Sequence, residues 1–111
     1  MKITFRDIPA GFFKARVSEI KEGNGIYGPY LRITFCIIET GDLNHYRFSG
    51  IVKPTPLKQS RFYRWVKDIL GKEPGEMFSP QEMIGKECQV YLSRKNGYYL
   101  VTDVSMASND A

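Results

Sequence analysis

The chain has 111 residues, of which 42% are hydrophobic and 25% are charged. These values are ordinary for a globular protein, and the length suits one domain with one core and excludes two. Sixteen Lys and Arg residues against twelve Asp and Glu residues give a net charge of +4, which favours a polyanionic partner mildly. The longest basic run is Arg94-Lys95, so neither a basic membrane-binding helix nor a nuclear-type basic cluster is indicated.

The first residues carry no apolar segment of a secretory signal, and no apolar run approaches the length of a membrane span. We therefore expect a cytoplasmic protein. Its two cysteines, Cys36 and Cys88, are then expected to be reduced residues of the core or sheet. The sequence leaves a disulfide between them open.

In chain order, the pattern predicts three strands, a helix, a short helical turn and two more strands. The predicted ranges are 12–21, 30–40 and 46–53 for the strands, 62–70 for the helix, 79–85 for the turn, and 87–93 and 98–104 for the last strands. Ile20 breaks the alternation of the first strand and indicates a bulge. Thr55 before Pro56 is a possible start of the helix, and Gly71 suits its C-cap. The pair Asn96-Gly97 predicts a tight hairpin.

The second strand alternates strictly between two kinds of side chain. Leu31 and every second residue through Ile37 are apolar, whereas Tyr30 and Arg32 begin the opposite face. An exposed ring beside a guanidinium suits a nucleic-acid strand, because the ring can stack on a base and the cation can meet a phosphate. An ordinary solvated sheet face is the alternative.

The order of the elements predicts a mostly β fold. Five strands with a helix between the third and fourth are expected of an OB-fold, a small barrel in which a bent first strand contributes to both sides. We expect one such domain over 1–111, with its core at about 11–104 and a disordered tail at 107–111.

Several chemical motifs are absent or fail in context. The run 23–28 matches G-x-G-x-x-G, but Pro29 and a strand follow it where a dinucleotide site needs a helix. The run is better interpreted as a hairpin loop, and its tip residues Ile26 and Tyr27 either contact a base or a partner or fold back onto the barrel. His45 is the only histidine, and no Cys/His spacing suits zinc. We expect no metal, no cofactor and no catalytic residues.

The outward sides of the strands and the two hairpins supply the candidate binding residues. The face of strands two and three, with the loops joining strands one to two and four to five, is the usual OB-fold groove. The predicted nucleic-acid-binding residues are Arg16, Tyr27, Tyr30, Arg32, Arg47, Lys53, Arg94, Lys95 and Tyr98.

Three runs of the sequence carry a resemblance to a known group. They are residues 27–35, residues 58–67 with the following Ile69-Leu70-Gly71, and Ile84-Gly85-Lys86. Across about 11–104, the chain resembles small single-domain OB-fold proteins of prokaryotes and phages, which are described as single-stranded-DNA-binding-like or uncharacterised. The resemblance implies the fold more strongly than the function, and it carries over only Tyr30 and Arg32 as groove residues.

These observations predict a non-catalytic module that binds single-stranded nucleic acid, DNA in the first place and RNA as the second choice, with little sequence preference. Its partners would be a single DNA strand and, through association, further copies or replication and recombination proteins. The alternative is a protein-interaction or assembly module on the same fold, in which Ile26, Leu43 and the exposed tyrosines serve a partner. A small-molecule or oligosaccharide site is a third possibility and would need a closed pocket.

Overall fold

The computed structural model describes residues 1–5, 8 and 10–107. All predicted elements are present in the predicted order. Their bounds are β1 (Gly11–Gly25), β2 (Gly28–Ile37), β3 (Arg47–Val52), α1 (Arg61–Leu70), a 3-10 turn (Pro80–Met83), β4 (Glu87–Lys95) and β5 (Tyr98–Met106). Of the predicted tail at 107–111, only Ala107 lies within the described residues.

The strands form one antiparallel sheet in the order β3-β2-β1-β4-β5. β1 holds the sheet together because it changes partner along its length. Its residues 11–16 pair with β4, and its residues 15–25 pair with β2. The register shifts between Val17 and Glu19, so the predicted bulge is confirmed and lies two residues before Ile20. A bulge of this kind bends the strand, which allows it to serve both neighbours.

The sheet is open, since no hydrogen-bonded ladder joins its edge strands β3 and β5 in the described part of the chain. The predicted OB-fold barrel is thus not confirmed, and the fold is a five-stranded antiparallel sheet with one short helix. The two edges nevertheless approach at Gly50. A Cβ atom at Gly50 would lie 2.8 Å from the Val101 carbonyl oxygen and 3.0 Å from the Trp65 ring, so a side chain there would force β3 away from β5.

The core lies on one face of the sheet, under α1. The four apolar residues of β2, from Leu31 to Ile37, are all buried, as the alternation predicts. Trp65 of α1 is also fully buried. The inner residues of the other strands complete it: Ala15, Val17, Val52, Cys88, Val90, Leu92, Val101 and Val104.

The ends of α1 are fixed by two local signals, of which one was predicted. Gly71 is the C-cap, with a left-handed φ of 74°. The N-cap is Ser60, whose hydroxyl accepts a hydrogen bond from the Tyr63 N–H at 3.1 Å. The possible start at Thr55 is not the one observed, because the chain between Val52 and Ser60 runs without regular structure and brings a second hydroxyl residue to the helix start.

The β4–β5 hairpin follows the Asn-Gly prediction. Asn96 and Gly97 both have positive φ, 51° and 83°, as a two-residue turn that matches the strand twist requires. The ladder continues to the pair Lys95–Tyr98. Among the described residues, no helix is both long enough and apolar enough to cross a membrane.

Candidate nucleic-acid interface

The side chains of β1, β2 and β3 that point away from the core form one surface, which we call the outer face. Cross-strand partners lie on the same side of a sheet. Cys36 pairs with Arg47 of β3 and Arg16 of β1, and Arg32 pairs with Ile51 and Lys21. The outer face consists of Arg16, Glu19, Lys21, Tyr30, Arg32, Thr34, Cys36, Arg47, Ser49 and Ile51.

The cations of the outer face differ in whether they already have a partner. Arg16 lies 3.8 Å from Glu87, and Lys21 lies 3.5 Å from Glu19. The side chains of Arg32 and Arg47, and of Lys53 one residue beyond β3, are by contrast exposed and make no ion pair or hydrogen bond within the described ranges. Cations without a protein partner are the ones that can bind an anion without first breaking a contact.

Arg32 and Arg47 lie on the same face, at a spacing set by the register. Arg47 pairs with Cys36, which is four residues from Arg32 along β2. At about 3.3 Å per residue, the two guanidinium groups originate about 13 Å apart along the strand direction. The hydroxyls of Thr34 and Ser49 lie between them and hydrogen bond to each other at 3.0 Å. The centre of the face is therefore polar.

Tyr30 is held in place by two glycines on the neighbouring strand. Gly23 is its cross-strand partner. A Cβ atom on Gly23 would lie 2.5 Å from the Tyr30 Oη and 2.8 Å from Cε2, and one on Gly25 would lie 3.7 Å from the ring. The ring thus lies against the bare backbone of both glycines. This arrangement explains the spacing of Gly23 and Gly25, which the sequence alone indicates only as part of a hairpin loop.

The β1–β2 hairpin projects beyond its neighbours. β3 ends opposite Leu31, and β4 pairs with β1 only as far as Arg16, so residues 22–31 form a ribbon of two strands. At its tip, Ile26 and Tyr27 are 91% and 88% exposed. Of the two expectations for the tip, folding back onto the sheet is therefore wrong.

The remaining predicted residues lie on a second hairpin. β4 is antiparallel to β1, and Leu92 pairs with Gly11 at the start of β1. The β4–β5 turn, with Lys95 and Tyr98, is consequently at the opposite end of the sheet from the ribbon. Tyr98 is 74% exposed. The structure therefore brings four predicted residues onto one face (Arg16, Tyr30, Arg32 and Arg47), places Lys53 one residue beyond β3, and places Tyr27 and the group Arg94, Lys95 and Tyr98 on separate hairpins.

Two basic residues of α1 make contacts that hold the structure together. They form neither a second basic surface for a ligand nor simply the solvent-exposed side of the helix. Arg61 donates to the Thr102 carbonyl at 2.6 Å and lies over the Trp65 ring. Arg64 pairs with the Asp103 carboxylate at 2.5 Å. These contacts tie α1 to β5. The helical spacing shows which residues avoid the core, but it does not show that a strand lies beside them.

The ionisable groups with shifted pKa values reflect this packing. Burial raises the pKa of Asp103, but hydrogen bonds from Arg64 and the Val104 N–H, with the nearby arginine charges, outweigh burial and lower it overall. Burial, with the charge of Asp68, raises the pKa of the Cys88 thiol to about 12. Both cysteines are free thiols, and Cys36 is partly exposed.

Within residues 1–5, 8 and 10–107, no group of three or more His, Cys, Asp or Glu side chains is arranged to hold a metal ion. His45 is exposed, in the β2–β3 turn, with a φ of 72°.

No protein-family model matches the chain. A search of curated proteins likewise finds no significant match.

Proposed function

We propose that this protein binds single-stranded nucleic acid, DNA in the first place, along the outer face and with little sequence preference. The observation that carries the proposal is that cationic side chains without ion-pair partners lie on the same face as an aromatic ring that is held against the backbone. Arg32 and Arg47 lie on one face without protein partners, and Tyr30 lies two residues from Arg32 on the same strand. A positive groove with stacking rings is the common solution for binding a single strand without reading its sequence.

The arrangement of strands supports an OB-type fold as part of the proposal. The order β3-β2-β1-β4-β5 places β3 and β5 at the edges. Gly50 of β3 lies close to the Val101 carbonyl of β5 and to the Trp65 ring. Closure of the sheet into a barrel would join the two edge strands at this point. In an OB-fold, the surface of β2 and β3 is the usual ligand groove, and this surface is the outer face.

The side chains of the proposed interface would have different roles in binding phosphates and bases. Arg32, Arg47 and Lys53 would bind phosphates directly, whereas Arg16 would first have to leave Glu87. Tyr30 would stack on a base, because the glycines support one side of its ring. Tyr27 and Tyr98 would add stacking from the two hairpins. No reacting group is assigned, and the proposed role is binding without catalysis.

A protein-interaction module remains the second candidate function, because the described chain exposes apolar side chains that binding to nucleic acid does not explain. Ile26 is the clearest of them. Leu43, the other residue expected to serve a partner, is partly buried against the core instead. An interaction module that binds no nucleic acid would show no affinity for oligonucleotides at any salt concentration.

The test is a titration of labelled oligo-dT and of the corresponding duplex at several salt concentrations, followed by fluorescence anisotropy. Neutralisation of about four phosphates predicts a slope of about −3 for log affinity against log salt. We expect the single strand to bind more tightly than the duplex. A flat salt response, or unchanged affinity when Tyr30→Ala and Arg32→Ala are combined, would refute the proposal. Lys58→Ala, which changes an exposed cation outside the outer face, is the matched control.

A further inference from the structure

A cavity of about 670 Å³ lies beside α1, on the side of the sheet that carries the helix. It is lined by the connection from β3 to α1, by one side of α1, and by the chain that follows α1. Its apolar lining consists of Pro54, Pro56, Phe62, Val66, Pro74 and Phe78. Small-molecule sites have volumes of about 300–1,000 Å³ and mostly apolar walls. The cavity therefore has the size for a small ligand, and the proposed binding of nucleic acid makes no use of it.

Three residues of the cavity lining are aromatic. The ring centroids of Phe62 and Phe78 are 6.3 Å apart, and the two rings are inclined by 61°, so they form a corner instead of a flat wall. Tyr63 of α1 contributes the third ring. The face of an aromatic ring carries partial negative charge and attracts a cation within about 6 Å of its centre. Rings around a recess thus suit a ligand that combines an apolar body with a positive charge.

The charged residues of the cavity lining favour a cation for a second reason. They are Glu73, Glu76 and Lys58, two negative charges against one positive, on a protein whose overall charge is +4. Both carboxylates belong to the chain that follows α1, whereas Lys58 precedes the helix. Neither carboxylate makes an ion pair or a hydrogen bond in the described part of the chain. Both are therefore available to an ammonium group.

We propose that this cavity binds a small organic cation, in which an ammonium group is joined to an aromatic or aliphatic body. The body would lie against Phe62, Val66 and Phe78, and the ammonium group would face the carboxylates of Glu73 and Glu76. The volume favours a small molecule over a protein partner, because a stable protein complex buries roughly 800 Å² on each side. The proposal does not depend on the binding of nucleic acid, since no residue of the outer face lines the cavity.

The experiment uses three probes that share a phenyl body and differ in charge: phenethylamine, a cation at neutral pH, phenethyl alcohol, which is neutral, and hydrocinnamate, an anion. Titration of the isotope-labelled full chain, followed by amide chemical shifts, gives the affinity and the location of each probe even when binding is weak. Glu73→Gln combined with Glu76→Gln removes both charges at nearly constant shape, and both residues are exposed, so the fold should be retained. Glu22→Gln, which removes an exposed carboxylate of the ribbon, is the control.

We expect phenethylamine to shift the amides of Phe62, Val66 and Phe78. It should bind roughly 3- to 10-fold more tightly than the alcohol, with the anion weakest, because ring faces and exposed carboxylates each contribute modestly. The double Gln variant should lose most of this preference and bind the alcohol as the wild type does, whereas Glu22→Gln should keep the preference.

Equal affinity for the three probes, or a preference for the amine that survives in the double variant, would show that the carboxylates do not select the ligand and would overturn the proposal. Tightest binding of hydrocinnamate would mean that Lys58 dominates the cavity, which also overturns it. Absence of shifts at the cavity with every probe would do the same. None of these results bears on the binding of oligo-dT, so the proposed function is tested separately.

Discussion

The position of the Tyr30 ring against Gly23 leads to a specific prediction, because the ring can lie there only while residue 23 has no Cβ atom. In Gly23→Ala, the new methyl group would lie 2.5 Å from the Tyr30 Oη and 2.8 Å from Cε2. Ordinary contacts between such atoms are about 3.5–4.0 Å, so the ring has to move by about 1 Å or more. Neither Gly23 nor Gly25 has a positive φ, and alanine therefore fits the backbone at both positions.

A stacked base contributes about 1–3 kcal/mol, so loss of the platform should weaken binding of oligo-dT roughly 5- to 150-fold. Gly25→Ala is the matched control, because its methyl group would lie 3.7 Å from the ring, which is an ordinary contact. Fluorescence anisotropy measures the affinities, and thermal unfolding checks that both variants fold. If Gly23→Ala binds as the wild type does while Tyr30→Ala binds weakly, the seat of the ring is irrelevant to binding. An equal loss in Gly25→Ala would point to a general effect on the ribbon.

Three further predictions concern two ion pairs and the two cysteines. Arg64→Ala should lower the free energy of unfolding at neutral pH by about 1 kcal/mol, a value limited by solvent screening. This difference should shrink in acid. The pKa of Asp103 is lowered in the native protein, so the stabilisation by its carboxylate is present at neutral pH and is lost as the pH falls through the lowered pKa. Thiol reagents should modify Cys36 and spare the buried Cys88 in the native protein, and oligo-dT should slow that modification. Glu87→Gln should free the arginine of β1 that it pairs with, which raises the affinity for oligo-dT and steepens the salt slope by up to about 0.7.

Each of these predictions has a result that contradicts it. A stability difference in Arg64→Ala that is constant with pH would mean that the ion pair does not carry it. Equal protection of Cys36 by oligo-dT and by free nucleotide would remove the strand from the explanation. A weaker rather than tighter complex in Glu87→Gln would show that the carboxylate supports the interface instead of competing with the phosphate.

The sequence predicted those parts of the fold that depend on local period. The alternation from Leu31 to Ile37 is enough to assign β2 and its buried side, because side chains of a strand alternate whatever its neighbours are. The Asn-Gly turn and the Gly71 C-cap are similarly local. The N-cap was missed because Thr55 and Ser60 both carry a suitable hydroxyl, and only the path of the chain between β3 and α1 decides which one meets the first turn.

The candidate site could be predicted only in part, since its geometry depends on register. Alternation placed Tyr30 and Arg32 on one side of β2, but their relation to Arg47 follows from the pairing of β2 with β3. The seat on Gly23 depends on the hairpin register, which brings that glycine opposite the ring. The role of Arg64 depends on how α1 is rotated against β5, which helical spacing alone does not fix.

The central claim is that a single nucleic-acid strand lies along the outer face, between the ribbon and the start of β3. The most direct measurement maps the backbone amide chemical shifts of the protein during titration with oligo-dT. We predict the largest changes at Tyr30, Arg32, Thr34, Arg47 and Ser49, with little change in α1. Changes concentrated in α1 with an unaltered outer face, or no changes at all, would contradict the account.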